Sequence, residues 1–236
     1  MEGDDATFRL LGILFDCELT MEPCLVALLN KLRPKVRALV RTKHVYSIPD
    51  MLNQFKAHVW SHIEYCSGAL LLAGPIKLRK LDKLQRGFLY ELGLNDRDAF
   101  VEHNFTPPSI RRAIGMLGFL HKIAPGRCHP LLPVLFPADP DTRYRYHARK
   151  FASLFDSVTS QRALFARSIH MYILMYNRLP QSLVDSTSVK ILQGRLTHIA
   201  RHRAQQDVTT SWREAFQSCE GIVDFFSDNP QDVPPR

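Results

Sequence analysis

The sequence predicts a mainly α protein, a helical bundle opened by a short N-terminal β-hairpin and closed by a helical C-terminal extension. Three observations carry this. Apolar residues recur at helical spacing in at least six segments. Only one apolar run, Phe8 to Phe15, has the length and flanks of a strand. Gly74-Pro75, Gly93, Thr106-Pro107-Pro108 and Pro180 fall between periodic segments, where they end or start helices and make turns.

The strand-like run contains Gly12, which fits a bulge, and Asp16-Cys17-Glu18 turns the chain out of it, with Leu19 closing the turn. A first helix follows from Thr20 to about Thr42. Thr20 or Met21 can cap it, and Pro23 suits its first turn. Leu25, Leu28, Leu29, Leu32, Val36, Leu39 and Val40 form its apolar stripe, with Arg33, Arg37 and Arg41 on one flank and Lys31 and Lys35 on the other. Pro34 lies opposite the stripe, so it should kink the helix rather than break it.

Ser47-Ile48-Pro49-Asp50 opens a second helix, with Ser47 as N-cap and Asp50 at the capping-box position. It runs to about Ala73 and stops at Gly74-Pro75. Met51, Leu52, Phe55, Val59, Ile63, Cys66 and Leu70 face one way, while Trp60 and Leu71 face another, so this helix is expected to be buried on two sides.

A third helix runs from Pro75 to Leu92 and ends at Gly93. Leu78, Leu81, Leu84, Phe88 and Leu92 face the core, with Arg79, Lys83 and Arg86 opposite and Tyr90 one turn on. Thr106-Pro107-Pro108 starts a fourth helix to about Ile123. Its Gly115 and Gly118 point to close helix packing, at a cost of about 1 kcal/mol each in helix propensity.

Residues 125–141 hold five Pro and read as a linker with one short helical turn. Beyond it, Arg143 to Phe155 is ambiguous between helix and strand. Helices are predicted over Gln161 to Arg178, Ser188 to Gln205 and Thr210 to Phe226, and the acidic, Pro-ended tail should fray.

The 236 residues suffice for one large domain or two small ones, and 45% hydrophobic content marks a globular chain. The five Cys are scattered without a CxxC pair, which argues against a disulfide framework or zinc knuckle and for a reducing compartment. The acidic start MEGDDAT has no apolar signal core. The longest apolar stretch, Ala69 to Ile76, is far too short to span a bilayer. The expectation is an intracellular protein, nuclear or cytoplasmic, neither secreted nor membrane-bound.

Charge is concentrated. Residues 31–90 carry twelve basic and three acidic residues, a balance of +9, leaving −1 for the rest of a chain whose total is +8. A local basic field suits nucleic-acid backbone better than it suits general solubility.

Five blocks occur in order along residues 8 to 185: Leu11-Gly12-Ile13 running into Phe15-Asp16; Leu52 to Tyr65, ending in Ile63-Glu64-Tyr65; Leu81 to Arg86, LDKLQR; Arg111-Arg112 with Leu117; and Asn177-Arg178-Leu179-Pro180. This ordered set resembles the post-catalytic, thumb-side part of a non-LTR retrotransposon reverse transcriptase, an RNA-directed DNA polymerase. The chain departs from that pattern at Tyr176, where the family has Trp, and lacks a Trp shortly after Tyr65.

The resemblance implies residues 1–20 as a primer-grip-like hairpin with Leu11 and Gly12 at its heart. Residues 21–124 would be a basic thumb-like helical domain, 125–141 the Pro-rich linker and 142–236 the helical extension. It implies binding to the backbone of an RNA or DNA duplex through Arg33, Arg37, Arg41, Arg79, Lys83 and Arg86, with a catalytic half as partner. It also implies no catalysis by this chain and no cofactor, because the catalytic aspartates fall upstream of the matching blocks. The competing expectation is a helical protein–protein interaction module derived from a mobile-element remnant, its basic stripes merely solvated.

Other chemistry is weaker. Gly3-Asp4-Asp5 resembles the metal-binding aspartates of polymerases, but stands only five residues from Leu11 with no strand before it. His58/His62 and His198/His202 have zinc-compatible spacing without the Glu of HExxH or a third ligand. His62 reads as a hydrogen-bonded core histidine and the second pair as a surface patch. Cys128-His129 reads as loop, and no GxSxG, Walker A or GxGxxG motif occurs.

Overall fold

A computed structural model describes residues 7–126, 128–137, 151, 168–206, 211–214, 216, 221, 222 and 226. Asp4 and Asp5 lie outside the described residues, as do 161–167, the acidic tail and, apart from Phe151, the ambiguous segment from Arg143 to Phe155.

The N-terminal run folds as an antiparallel hairpin, β1 (Thr7–Leu10) and β2 (Ile13–Asp16), in the register Leu10↔Ile13 and Phe8↔Phe15. Its two-residue loop has both Leu11 (φ 49°) and Gly12 (φ 80°) in the left-handed region. That pairing matches the twist of the flanking strands and closes the tightest hairpins. Gly12 therefore serves the turn, not a bulge as its place in the run suggested.

The expected second turn is also present, closed by the Leu19 N–H donating to the Asp16 carbonyl. Leu19 and Met21 both adopt positive φ there. Met21 occupies the N-cap position without a side-chain cap. Asp16 takes over that role from a distance, its carboxylate accepting from the N–H groups of Thr20 and Met21 at 2.8 Å each.

Burial alone would raise the Asp16 pKa, but hydrogen bonds from the Thr20 hydroxyl and from these N–H groups outweigh it and hold the carboxyl below its ordinary 3.8. A depressed carboxyl stabilises the fold above its unfolded pKa, and that stability is lost as pH falls through the lower folded value. Asp16→Ala should therefore cost about 1–2 kcal/mol near neutral pH. The gap between wild type and variant in urea melts should close as pH drops below about 4. A gap unchanged at acid pH would remove the carboxylate from this role.

The first helix, α1 (Glu22–Arg41), continues through Pro34, which is exposed. The next helix is continuous in chain direction but not in winding. It comprises α2 (Ile48–Phe55), a π-helical turn (Lys56–Trp60) and α3 (Ser61–Leu70). Ser47 caps it as expected, its Oγ accepting from the Asp50 N–H. The widened turn inserts an extra residue, and Val59 and Trp60 are buried side by side there. The two-sided burial read from Trp60 and Leu71 holds, since both are buried.

Gly74-Pro75 separates α3 from α4 (Pro75–Glu91), and Gly93 at φ 73° ends α4. A short helix, α5 (Asp96–His103), is one that periodicity did not reveal. Asn95 caps it by accepting from the Asp98 N–H at 2.8 Å. Then comes α6 (Pro108–Ile123).

Two compact units divide the chain at Arg112/Ala113, inside α6 and ahead of the Pro-rich stretch 125–141. In the first, α1 packs on β2, the α2–α3 helix and α4. Its core joins Leu25, Leu28 and Leu32 of α1 to Met51, Leu52 and Phe55 and to Leu81 and Phe88. Phe55 lies 4.5 Å from Phe88 and 5.4 Å from Phe105 between ring centroids.

The second unit contains the remainder of α6, α7 (Leu131–Leu135), α8 (Ile169–Asn177), α9 (Gln181–Val184), α10 (Val189–Gln206) and α11 (Ser211–Glu214). Here the Tyr176 hydroxyl lies 2.9 Å from His121 Nδ1, and His121 Nε2 lies 2.9 Å from the Ser186 carbonyl. Because a carbonyl only accepts, Nε2 carries the proton and Nδ1 is left to accept from tyrosine. Asn177 fastens the backbone of Phe151, donating to its carbonyl at 2.8 Å and accepting from its N–H at 3.0 Å.

Gly118 presses against the Gln193 side chain, which justifies its lack of Cβ, but Gly115 faces open space. The packing role expected of both holds for one. The mainly α reading with a single small hairpin stands for the described residues.

Candidate nucleic-acid interface

Arg33, Arg37 and Arg41 recur every fourth residue on α1, one step round from the buried stripe that ends at Val36. Helical geometry puts them in one row about 12 Å long. The packing of α1 on α4 sets that row beside Lys83. Between the helices runs a groove of about 410 Å³. Its cationic rim is Arg33, Arg37, Arg41 and Lys83, and Val36, Val40, Leu84, Gly87 and Phe88 contribute to its lining. Glu91 stands among the lining residues, tied to Lys43 by an ion pair of 2.9 Å.

No described acidic side chain pairs with the four rim cations. The contrast with their neighbours is informative. Lys77 and Lys80 are both drawn to Glu22, at 2.5 and 3.9 Å. Arg111 bonds Glu64 through Nε at 2.7 Å and stacks its guanidinium 3.9 Å over Trp60.

The expected α4 stripe is thus divided. Lys83 enters the groove. Arg79 is exposed but does not line it. Arg86 lies at 4.0 Å from Asp96, an acceptor from a helix that sequence reading missed, which partly neutralises it.

Leu11 and Gly12 lie at the hairpin tip, where the Leu11 side chain is 79% exposed and its carbonyl accepts from the Tyr65 hydroxyl at 2.5 Å. The Tyr65 that ends the Ile-Glu-Tyr triplet therefore ties the hairpin to α3. Other members of the ordered blocks also interlock. Gln85 accepts from Trp60 Nε1 at 2.8 Å and donates to the Thr106 carbonyl at 3.3 Å. Asp82 accepts from the Ser109 N–H at 3.0 Å and lies 4.0 Å from Arg112.

The histidine readings separate. His62 is half-buried and, among the described residues, its ring has no hydrogen-bond partner, so it is not the bonded core histidine its position suggested. Desolvation first, then Lys31, Lys35 and His58, lowers its pKa, which keeps it neutral. Neither Lys31 nor Lys35 lines the groove. His198 and His202 are exposed, as expected of a surface patch. Among the described residues no cluster of His, Cys, Asp and Glu could hold a metal, and no helix is long and apolar enough to cross a membrane.

One pairing lay beyond sequence reading. Cys24 of α1 and Cys66 of α3 are close enough for their thiols to influence one another's ionisation. The neighbouring thiol lowers the Cys24 pKa to about 7 against the effect of burial, while the same interaction, with burial, pushes Cys66 up. Cysteines that look scattered along the chain are neighbours in space because α1 and α3 pack together.

Fold and surface define a helical protein with an unneutralised cationic groove. No known family, curated protein or solved structure matches the chain.

Proposed function

We propose that this chain is a non-catalytic, thumb-side segment of a retrotransposon-type reverse transcriptase that grips the backbone of a template–primer duplex. The observation that supports this best is the groove. Four cations from two sequence-distant helices converge on it, while Lys77, Lys80 and Arg111 are occupied by carboxylates. An anion that approaches it meets four cations that no described carboxylate pairs with, the lining carboxylate Glu91 being tied to Lys43, which suits phosphate binding. The interlocking of Glu64, Tyr65, Asp82, Gln85 and Arg111 gives the ordered blocks a shared structural reason to occur together.

A salt titration tests the reading. With the four rim cations and Arg79 engaged, about five phosphates are neutralised, and log K should fall with log salt at a slope near −4 to −5. Affinity should then drop about 10²–10³-fold between low and physiological salt, with weak sequence preference because no base-reading element is offered. Absence of duplex binding at low salt would leave the groove an ordinary solvated cleft and turn attention to the protein–protein interaction reading.

A further inference from the structure

Tyr90 sits on the basic face of α4, and among the described residues nothing bonds to its side-chain hydroxyl, while its carbonyl accepts from the Gly93 N–H. It is 81% exposed. At 100° per residue, positions 79, 83, 86 and 90 fall within about 60° of one another, so Tyr90 shares the stripe of Arg79, Lys83 and Arg86. It is one turn beyond Gly87, a groove-lining residue with no side chain and nothing within 4 Å of where a Cβ would stand. It also adjoins Glu91, which Lys43 holds among the groove-lining residues. The other exposed apolar residue on this stripe, Ile76, is fourteen positions away, about 21 Å along the helix. Tyr90 is therefore a lone aromatic among cations, not part of an apolar patch.

We propose that Tyr90 is a stacking platform for an unpaired nucleobase, so that the groove takes a duplex–single-strand junction in preference to an uninterrupted duplex. This rests on the backbone-binding reading above and adds the class of nucleic acid to it. Paired bases present only their edges, while an unpaired base exposes its face to an aromatic ring. Such stacking is tolerant of sequence and strong enough to set preference. The cations on the same face would hold the phosphates that flank the stacked base.

The test compares a blunt RNA–DNA duplex with the same duplex extended by a single-stranded overhang containing 2-aminopurine. The overhang should tighten Kd by about 5- to 100-fold, and 2-aminopurine emission should be quenched on binding. Tyr90→Ala should abolish both effects yet leave blunt-duplex affinity and its salt slope unchanged, and Tyr90→Phe should restore them. Equal Kd values for the two probes, with the salt slope present, would overturn the junction proposal and leave backbone binding standing. Tyr90→Ala that weakens both probes equally, or neither, would also overturn it. If neither probe binds at low salt, both readings fall together.

Discussion

Replacing Arg33, Arg37 and Arg41 together by glutamate should weaken duplex binding about 10²–10³-fold at low salt and flatten the salt slope by about 3. The three guanidinium groups form one wall of the groove, and no described carboxylate neutralises them. Reversal therefore removes phosphate contacts and adds repulsion at the same place. All three are exposed, so stability should change little. A glutamate at Arg41, in the last turn of α1, opposes the helix dipole and costs about 0.3–1 kcal/mol. Fluorescence anisotropy across a salt series reads the binding, and a urea melt confirms the fold. The same reversal at Arg79 and Arg86, outside the groove lining, should have a smaller effect because Arg86 is already engaged with Asp96. Equal losses from the two variants would mean that the whole basic surface attracts nucleic acid and the groove has no special part.

Trp60→Ala should be the most damaging single change of those considered, lowering stability by about 3–5 kcal/mol. Trp60 is 5% exposed and stacks on Phe105 with ring centroids 4.6 Å apart. Its indole N–H donates to Gln85, and Arg111 lies over its ring. Removal opens a cavity beside the Phe55–Phe88–Phe105 cluster and strips the buried Gln85 of its donor. Trp60→Phe keeps a ring in place but loses the N–H bond and part of the ring volume, so it should cost less, about 1–3 kcal/mol. The urea midpoint should fall in that order with an unchanged m-value. A loss below about 1 kcal/mol for the alanine variant would show that the cluster repacks without it.

Much of the helical layout is legible because its signals are local. Ser47 caps a helix through its own side chain, Gly93 ends one through its own φ, and a Pro opens α4 and α6 where a missing N–H costs nothing. The short α5 escaped because its first turn is charged and its apolar spacing too brief to establish a period. The π-helical turn escaped for a different reason. An inserted residue leaves the composition of a helix unchanged and shows only in where its side chains land.

The individual basic residues were equally plain from spacing, and the rows on α1 and α4 follow from 3.6 residues per turn. Which of those cations remain available does not follow from spacing. Lys77 and Lys80 meet Glu22 across a separation of more than fifty positions, and Arg111 meets Glu64. Neither pairing leaves a trace in local pattern.

Local chemistry along the chain was thus enough to set the mainly α class, most helix ends, the hairpin and the location of positive charge, because each depends on residues within a turn or two of one another. The groove exists only once α1 packs against α4. Whether Lys83 points into it, whether Arg86 is partly neutralised and whether Cys24 finds Cys66 are settled by contacts between residues dozens of positions apart. Those contacts follow from burying the shared apolar faces of the helices, which brings polar side chains together as a consequence of packing and not of their order in the chain.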